Sequence, residues 1–107
     1  MKRFGQIIGV KQEKLEEYKR YHAAVWPDVL EMIRLCNIHN YSIFYKDGML
    51  YAYFEYVGND FDADMAKMAA DPMTQKWWDV MMPMQTPMAT RADGEWWANL
   101  EEVFHVD

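Results

Sequence analysis

Apolar positions along this chain switch between two spacings, and each switch marks an element. Residues 3–10 place Phe4, Gln6, Ile8 and Val10 on one side at period two, which predicts a strand with a largely apolar face. From Gln12 the step becomes three or four: Leu15, Tyr18, His22, Val25, Val29, Met32 and Cys36 recur, with Glu13, Glu16, Glu17, Lys19 and Arg20 between the early ones. That spacing predicts an amphipathic helix. Pro27 offers no N–H and its ring collides with the carbonyl four residues back, so a kink or restart is expected near Trp26.

Residues 38–46 and 49–56 are rich in β-formers and are joined by Asp47-Gly48, a hairpin dipeptide. Gly58, Asn59 and Asp60 end the second of these strands and cap a helix carrying Phe61, Met65 and Met68 on one face. Asp71 is a good N-cap and Pro72 a good first helical residue, so a further helix is expected over 73–82. Residues 83–99, broken by Pro83, Pro87, Asp93 and Gly94, read as a long loop, and 100–106 as a final strand. The order strand, helix, strand, strand, helix, strand is the split βαβ arrangement of a ferredoxin-like α+β fold. Helices cover one face of such a sheet; the aromatic residues on these strands predict that a second copy of the chain covers the other, giving a homodimer.

A length of 107 residues suits one domain with one core. The balance of 17 acidic against 11 basic residues, net −6, leaves no positive face for a phosphate backbone, so nucleic acid is not an expected partner. No stretch approaches the ~20 apolar residues of a membrane span. A single cysteine, Cys36, and a polar start at Lys2 and Arg3 predict a cytoplasmic protein without an internal disulfide. Five Trp, seven Tyr and ten Met exceed what packing alone requires, which points to a pocket or an interface. The expected ligand is therefore small and soluble, or another protein.

Tyr18 and His22, four apart, share one helix face, where an imidazole with a normal pKa of ~6.5 is able to hold or release a proton. Both also suit plain helix-to-sheet packing. Strict alternation puts Tyr41 on one side of its strand with His39, Ile43 and Tyr45, opposite Asn40, Ser42 and Phe44. The indoles of Trp77 and Trp78 diverge by ~100° around their helix. Either one fills the core and one the rim, or the two wall a pocket and stack on the C–H face of a sugar ring. The three histidines have no metal-ligand spacing, and neither a phosphate loop nor a nucleophile elbow is present, so no metal and no cofactor is expected.

The string Glu17-Tyr-Lys-Arg-Tyr-His22 followed by Val25-Trp-Pro27, then His39-Asn-Tyr-Ser-Ile43, Trp77-Trp78 and Leu100-Glu-Glu-Val-Phe104, resembles the L-rhamnose mutarotase family over nearly the whole chain. The resemblance implies a dimeric α+β barrel, with residues 1–107 forming one mutarotase domain that exchanges the anomers of L-rhamnose. It implies that His22 is the proton donor and that Tyr18, Tyr41, Trp77 and Trp78 bind the sugar. Ala23-Ala24 and Trp96-Trp97 depart from the family pattern, so the expected substrate class is L-rhamnose or a related 6-deoxyhexose. The same fold class also carries cofactor-free monooxygenases and ligand-binding modules, which stand as alternatives.

Overall fold

The computed structural model describes all of residues 1–107. Its centre is strand β1 (Lys2–Val10), followed by a 3-10 turn and helices α1 (Leu15–Ala23) and α2 (Pro27–Leu35). The hairpin β2 (Ile38–Lys46) and β3 (Met49–Tyr56) comes next, then helices α3 (Phe61–Ala70) and α4 (Pro72–Met81), and the short strands β4 (Gln85–Thr86) and β5 (Ala98–Leu100). All pairings are antiparallel, in the order β2-β3-β1, with β4 and β5 sharing the other edge of β1, β4 at Gly9 and Val10 and β5 at Gly5, Gln6 and Ile7. This is the expected ferredoxin-like α+β arrangement, curled into a half-barrel.

Local chemistry accounts for the boundaries. The predicted break falls between α1 and α2, with Pro27 opening α2. Asp60 caps α3 by accepting from the Ala63 N–H, and Asp71 caps α4 by accepting from the Thr74 N–H. At the β2–β3 turn Asp47 and Gly48 have φ of +49° and +83°, the geometry a two-residue hairpin requires. Gly9 matters for a different reason: a Cβ there would stand 2.9 Å from the Thr86 carbonyl oxygen, so only glycine lets β4 lie against β1.

The helices cover the sheet face that carries Ile8, Val10, Leu50, Ala52 and Phe54. Ile8 is fully buried, and the main core joins it to Leu15, Tyr18, Val29, Trp77, Met81 and Met84. A second cluster, Ile38, Phe54 and Tyr56, holds the far end against α3. The opposite sheet face has no cover: Phe44 is 65 % exposed, and Tyr51 and Leu100 share that side.

Three expectations need correction. The expected loop 83–99 carries β4 and the first two residues of β5; of the expected final strand 100–106 only Leu100 is strand, and residues 101–107 are exposed without regular structure. In register, Leu100 lies opposite Gly5, and past it the tail is held to β1 by side chains instead of backbone pairing: Arg3 holds Glu102 by an exposed ion pair at 3.2 Å. The alternation through β2 is also interrupted. His39 lies opposite Glu55 and Ser42 opposite Tyr53, three steps against two, and Asn40 takes φ of +48°. This bulge moves His39 to the uncovered face, while Tyr41, which packs on Phe54, remains on the helix side with Ile43 and Tyr45.

Candidate active site

Three elements converge where α1 crosses the sheet. On α1, one helical turn brings the rings of Tyr18 and His22 into a stack with centroids 4.2 Å apart. From α4, Trp77 meets the imidazole edge-on at 5.4 Å and is itself braced by Trp26 at 5.1 Å and Tyr21 at 6.0 Å. Trp78, one position on, is 37 % exposed and makes none of these ring contacts, so of the two indoles only Trp77 stands beside His22. Tyr41, on β2, packs on Phe54 at 5.6 Å and makes no ring contact with His22 or Trp77; its phenol acts on that of Tyr18 only through a small electrostatic influence.

Each polar group has a defined protonation. His22 Nδ1 lies 2.9 Å from the Tyr18 carbonyl oxygen. A carbonyl only accepts, so Nδ1 carries the hydrogen and, in the neutral ring, Nε2 presents a bare lone pair. Burial lowers the His22 pKa, against a smaller upward pull from that hydrogen bond, so the neutral ring is the resting form at neutral pH. The phenols behave in the opposite sense. Burial raises Tyr18 strongly, the hydrogen bond from Gln85 opposes the rise, and the nearby Tyr41 phenol adds to it. Tyr41 is pushed up to about 12 by burial of its hydroxyl end, although 42 % of the residue as a whole is exposed. Both phenols therefore stay protonated near neutrality, so neither is a resting base and each keeps a hydrogen to donate.

Residues that sequence reasoning did not single out complete the floor. Gln85, buried on β4 opposite Val10, donates from Nε2 to the Tyr18 hydroxyl at 3.2 Å and accepts from the Trp96 indole N–H at 2.8 Å. Gln6 donates to Asn99 Oδ1 at 3.0 Å, and Asn99 donates to Glu95 at 2.6 Å, which also accepts from the Ala92 N–H at 3.0 Å. These bonds fasten the 87–97 loop to β1. Nothing in the local pattern signalled Gln85, because β4 is two residues long; the Trp96-Trp97 pair was the one visible hint. Two surface recesses, of about 450 Å³ beside Trp26 and Met73 and about 350 Å³ beside Lys2 and Phe61, contain neither His22 nor Tyr18. Converging side chains, rather than either recess, define the site.

No group of three or more His, Cys, Asp or Glu side chains is placed to hold a metal ion, and no helix is long and apolar enough to cross a membrane. A neutral imidazole with an open Nε2, stacked on the Tyr18 phenol and met edge-on by the Trp77 indole over a ferredoxin-like sheet, marks a protein of the dimeric α+β barrel class. The family model described as L-rhamnose mutarotase matches residues 3–106, and the chain belongs to that family. The L-rhamnose mutarotase of Bacillus subtilis (strain 168) is 38 % identical with all of both chains covered, and that of Oceanobacillus iheyensis 36 %, also with full coverage of both. Among solved structures, L-rhamnose mutarotase FA22100 from Formosa agariphila is similar with a TM-score of 0.79 at 22 % identity, covering 100 % of both chains. The tetracenomycin F2 cyclase of Streptomyces glaucescens, at TM-score 0.71 and 13 % identity over 100 % of both chains, shares the fold.

Proposed function

We propose that this chain is a sugar mutarotase that interconverts the α and β anomers of L-rhamnose or a related 6-deoxyhexose, with His22 as its proton carrier and residues 1–107 acting as one unit. The observation that carries the reading is the tautomer of His22: Nδ1–H is tied to the Tyr18 carbonyl, Nε2 bonds to no group of the chain, and the ring is stacked on the Tyr18 phenol.

The reaction needs a proton taken from the anomeric hydroxyl and one given to the ring oxygen. Both oxygens are bonded to the same carbon, so one imidazole nitrogen is able to serve them in turn. Nε2 accepts the anomeric O–H proton, the electron pair left on that oxygen forms the aldehyde C=O as the C1–ring-oxygen bond breaks, and the imidazolium delivers the proton to the departing ring oxygen. Rotation about C1–C2 and reversal of the steps on the other face give the second anomer. The donor duty expected for His22 thus follows a loading step, and the lowered pKa suits it: a proton acquired from the sugar is readily surrendered. Tyr18 and Tyr41 donate to sugar oxygens and hold the ring, and Trp77 and Trp78 supply indole surface to its C–H face. Acid/base assistance of this kind is worth roughly 10²–10⁴-fold, enough because sugars already mutarotate in water.

The reading includes two copies of the chain, joined through the uncovered sheet face of Phe44, Tyr51 and Leu100 and the exposed Val103 and Phe104 of the tail. It also includes a cytoplasmic place in carbohydrate metabolism. Saturation-transfer NMR between the anomeric protons of L-rhamnose is the direct test. Accelerated exchange on adding the protein is expected; exchange at the buffer rate for every 6-deoxyhexose tried would refute the assignment.

A further inference from the structure

We propose that Gln85 is a positioning residue that turns the Tyr18 hydroxyl into a hydrogen-bond donor toward the bound sugar, and that Trp96 fixes the sense in which Gln85 does so. The inference rests on the mutarotase reading and adds to it a residue and a direction of donation.

The argument begins at the indole. Trp96 Nε1–H can only donate, so its partner at 2.8 Å must be the amide oxygen of Gln85. The amide nitrogen is thereby committed to the other side, where it lies 3.2 Å from the Tyr18 hydroxyl. An amide N–H also only donates. The Tyr18 oxygen therefore accepts, and its own hydrogen is left over. No other group of the chain bonds to that hydroxyl, so the hydrogen is available to a ligand oxygen. Without this polarity Tyr18 would be free to donate to an amide oxygen and face the ligand as an acceptor. The chain Trp96 to Gln85 to Tyr18 thus runs one way and ends at the site.

The fold holds each link. Gln85 is 6 % exposed and is pinned opposite Val10, where Gly9 allows the close approach of β4. Tyr18 is 4 % exposed. Trp96 is packed against the main core and sits just before β5, which is tied to β1 by backbone pairing and by the Gln6–Asn99 bond. Buried, mutually satisfied polar groups of this kind resist rearrangement, because flipping the amide would leave both the indole N–H and the Gln85 nitrogen unpaired or opposed.

A double-mutant cycle on anomer exchange and on L-rhamnose binding, both read by NMR, tests the relay. Gln85→Met keeps the volume and removes both bonds; it is expected to lower kcat/KM about tenfold in the presence of Tyr18, the loss of roughly one hydrogen bond. In a Tyr18→Phe background the same change should alter kcat/KM less than about twofold, because the hydroxyl it orients is gone. A merely structural Gln85 would give the same loss in both backgrounds, and that result, or no loss at all, would overturn the proposal. Should Gln85→Met not fold, Trp96→Phe removes the orienting N–H alone and is expected to lose several-fold activity only where Tyr18 is present; equal losses in both backgrounds would again be decisive against the relay. A wild-type chain that exchanges no anomers would defeat the functional reading, whereas an active wild type with independent, multiplying losses would defeat the relay alone.

Discussion

His22→Ala removes the imidazole and nothing else from α1, and the structure allows its two consequences to be separated. The catalytic loss is that of a proton carrier, roughly 10²–10⁴-fold, or about 3–5 kcal/mol of barrier at 1.36 kcal/mol per factor of ten. The structural loss is the stack on Tyr18 at 4.2 Å, the edge contact with Trp77 at 5.4 Å and the bond to the Tyr18 carbonyl at 2.9 Å. Aromatic contacts are worth about 0.5–1.5 kcal/mol each when well buried, and His22 is only partly buried, so roughly 1–2 kcal/mol in all is expected. For a domain of this size that is a fall in Tm of roughly 5–15 °C, against a total stability of about 5–15 kcal/mol. The variant should therefore be folded at 25 °C and slow. Saturation-transfer NMR on L-rhamnose measures the exchange rate, a thermal melt by circular dichroism the stability, and chemical-shift titration the binding. Free imidazole diffusing into the vacated space should restore part of the rate. A folded, sugar-binding His22→Ala protein that exchanges anomers within twofold of wild type would show that the proton is carried elsewhere, and the mechanism would have to be abandoned.

Three other outcomes follow from the same coordinates. Because burial lowers the His22 pKa and the neutral ring is the working resting form, kcat/KM should be flat near neutrality and fall as pH drops below 6.5 through the folded-state value; the unfolded chain takes up that proton first, so the His22 contribution to stability is full above the unfolded pKa and is lost on acidification, and an acid limb rising toward low pH would contradict both statements. Phe44→Lys places a charge on the uncovered sheet face, on the edge strand β2 opposite Tyr51, and for the proposed pair of chains should shift the light-scattering mass from two chains to one, whereas an unchanged mass of two chains would locate the interface elsewhere. Gly58→Ala drives a Cβ into the Tyr56 hydroxyl and to within 2.8 Å of Asn37 Nδ2, crowding the groups that bond to Asp64. A loss of about 1–3 kcal/mol in urea unfolding is expected, with the activity per folded molecule preserved; an unaltered midpoint would mean that this loop yields freely.

What local pattern encodes was legible without coordinates. Period-two spacing marked β1, richness in β-formers on either side of the Asp47-Gly48 hairpin dipeptide marked β2 and β3, and Asp60, Asp71 and Pro27 set helix starts because capping is a property of neighbours in sequence. The pairing of Tyr18 with His22 was equally visible, since one helical turn guarantees it. Tertiary structure alone decided the rest. The bulge at Asn40 reversed the side of His39 because an extra residue on one strand is invisible until its partner strand is known. The final strand stopped at Leu100, opposite Gly5, and past it the tail is held to β1 by the Arg3–Glu102 ion pair instead of by backbone pairing. Trp77 and not Trp78 came to stand beside the imidazole because only one of two diverging indoles is able to face the sheet. Gln85 and Trp96 entered the site from a stretch with no periodicity at all, since a hydrogen bond across 67 residues of chain depends on what the fold brings together and leaves no trace in local spacing. The sequence by itself determined the four helices, the first three strands and the chemistry on α1, where even the His22 Nδ1–H finds its carbonyl one turn back; the direction in which the Gln85 and Tyr18 hydrogens point was set by partners that only the folded chain provides.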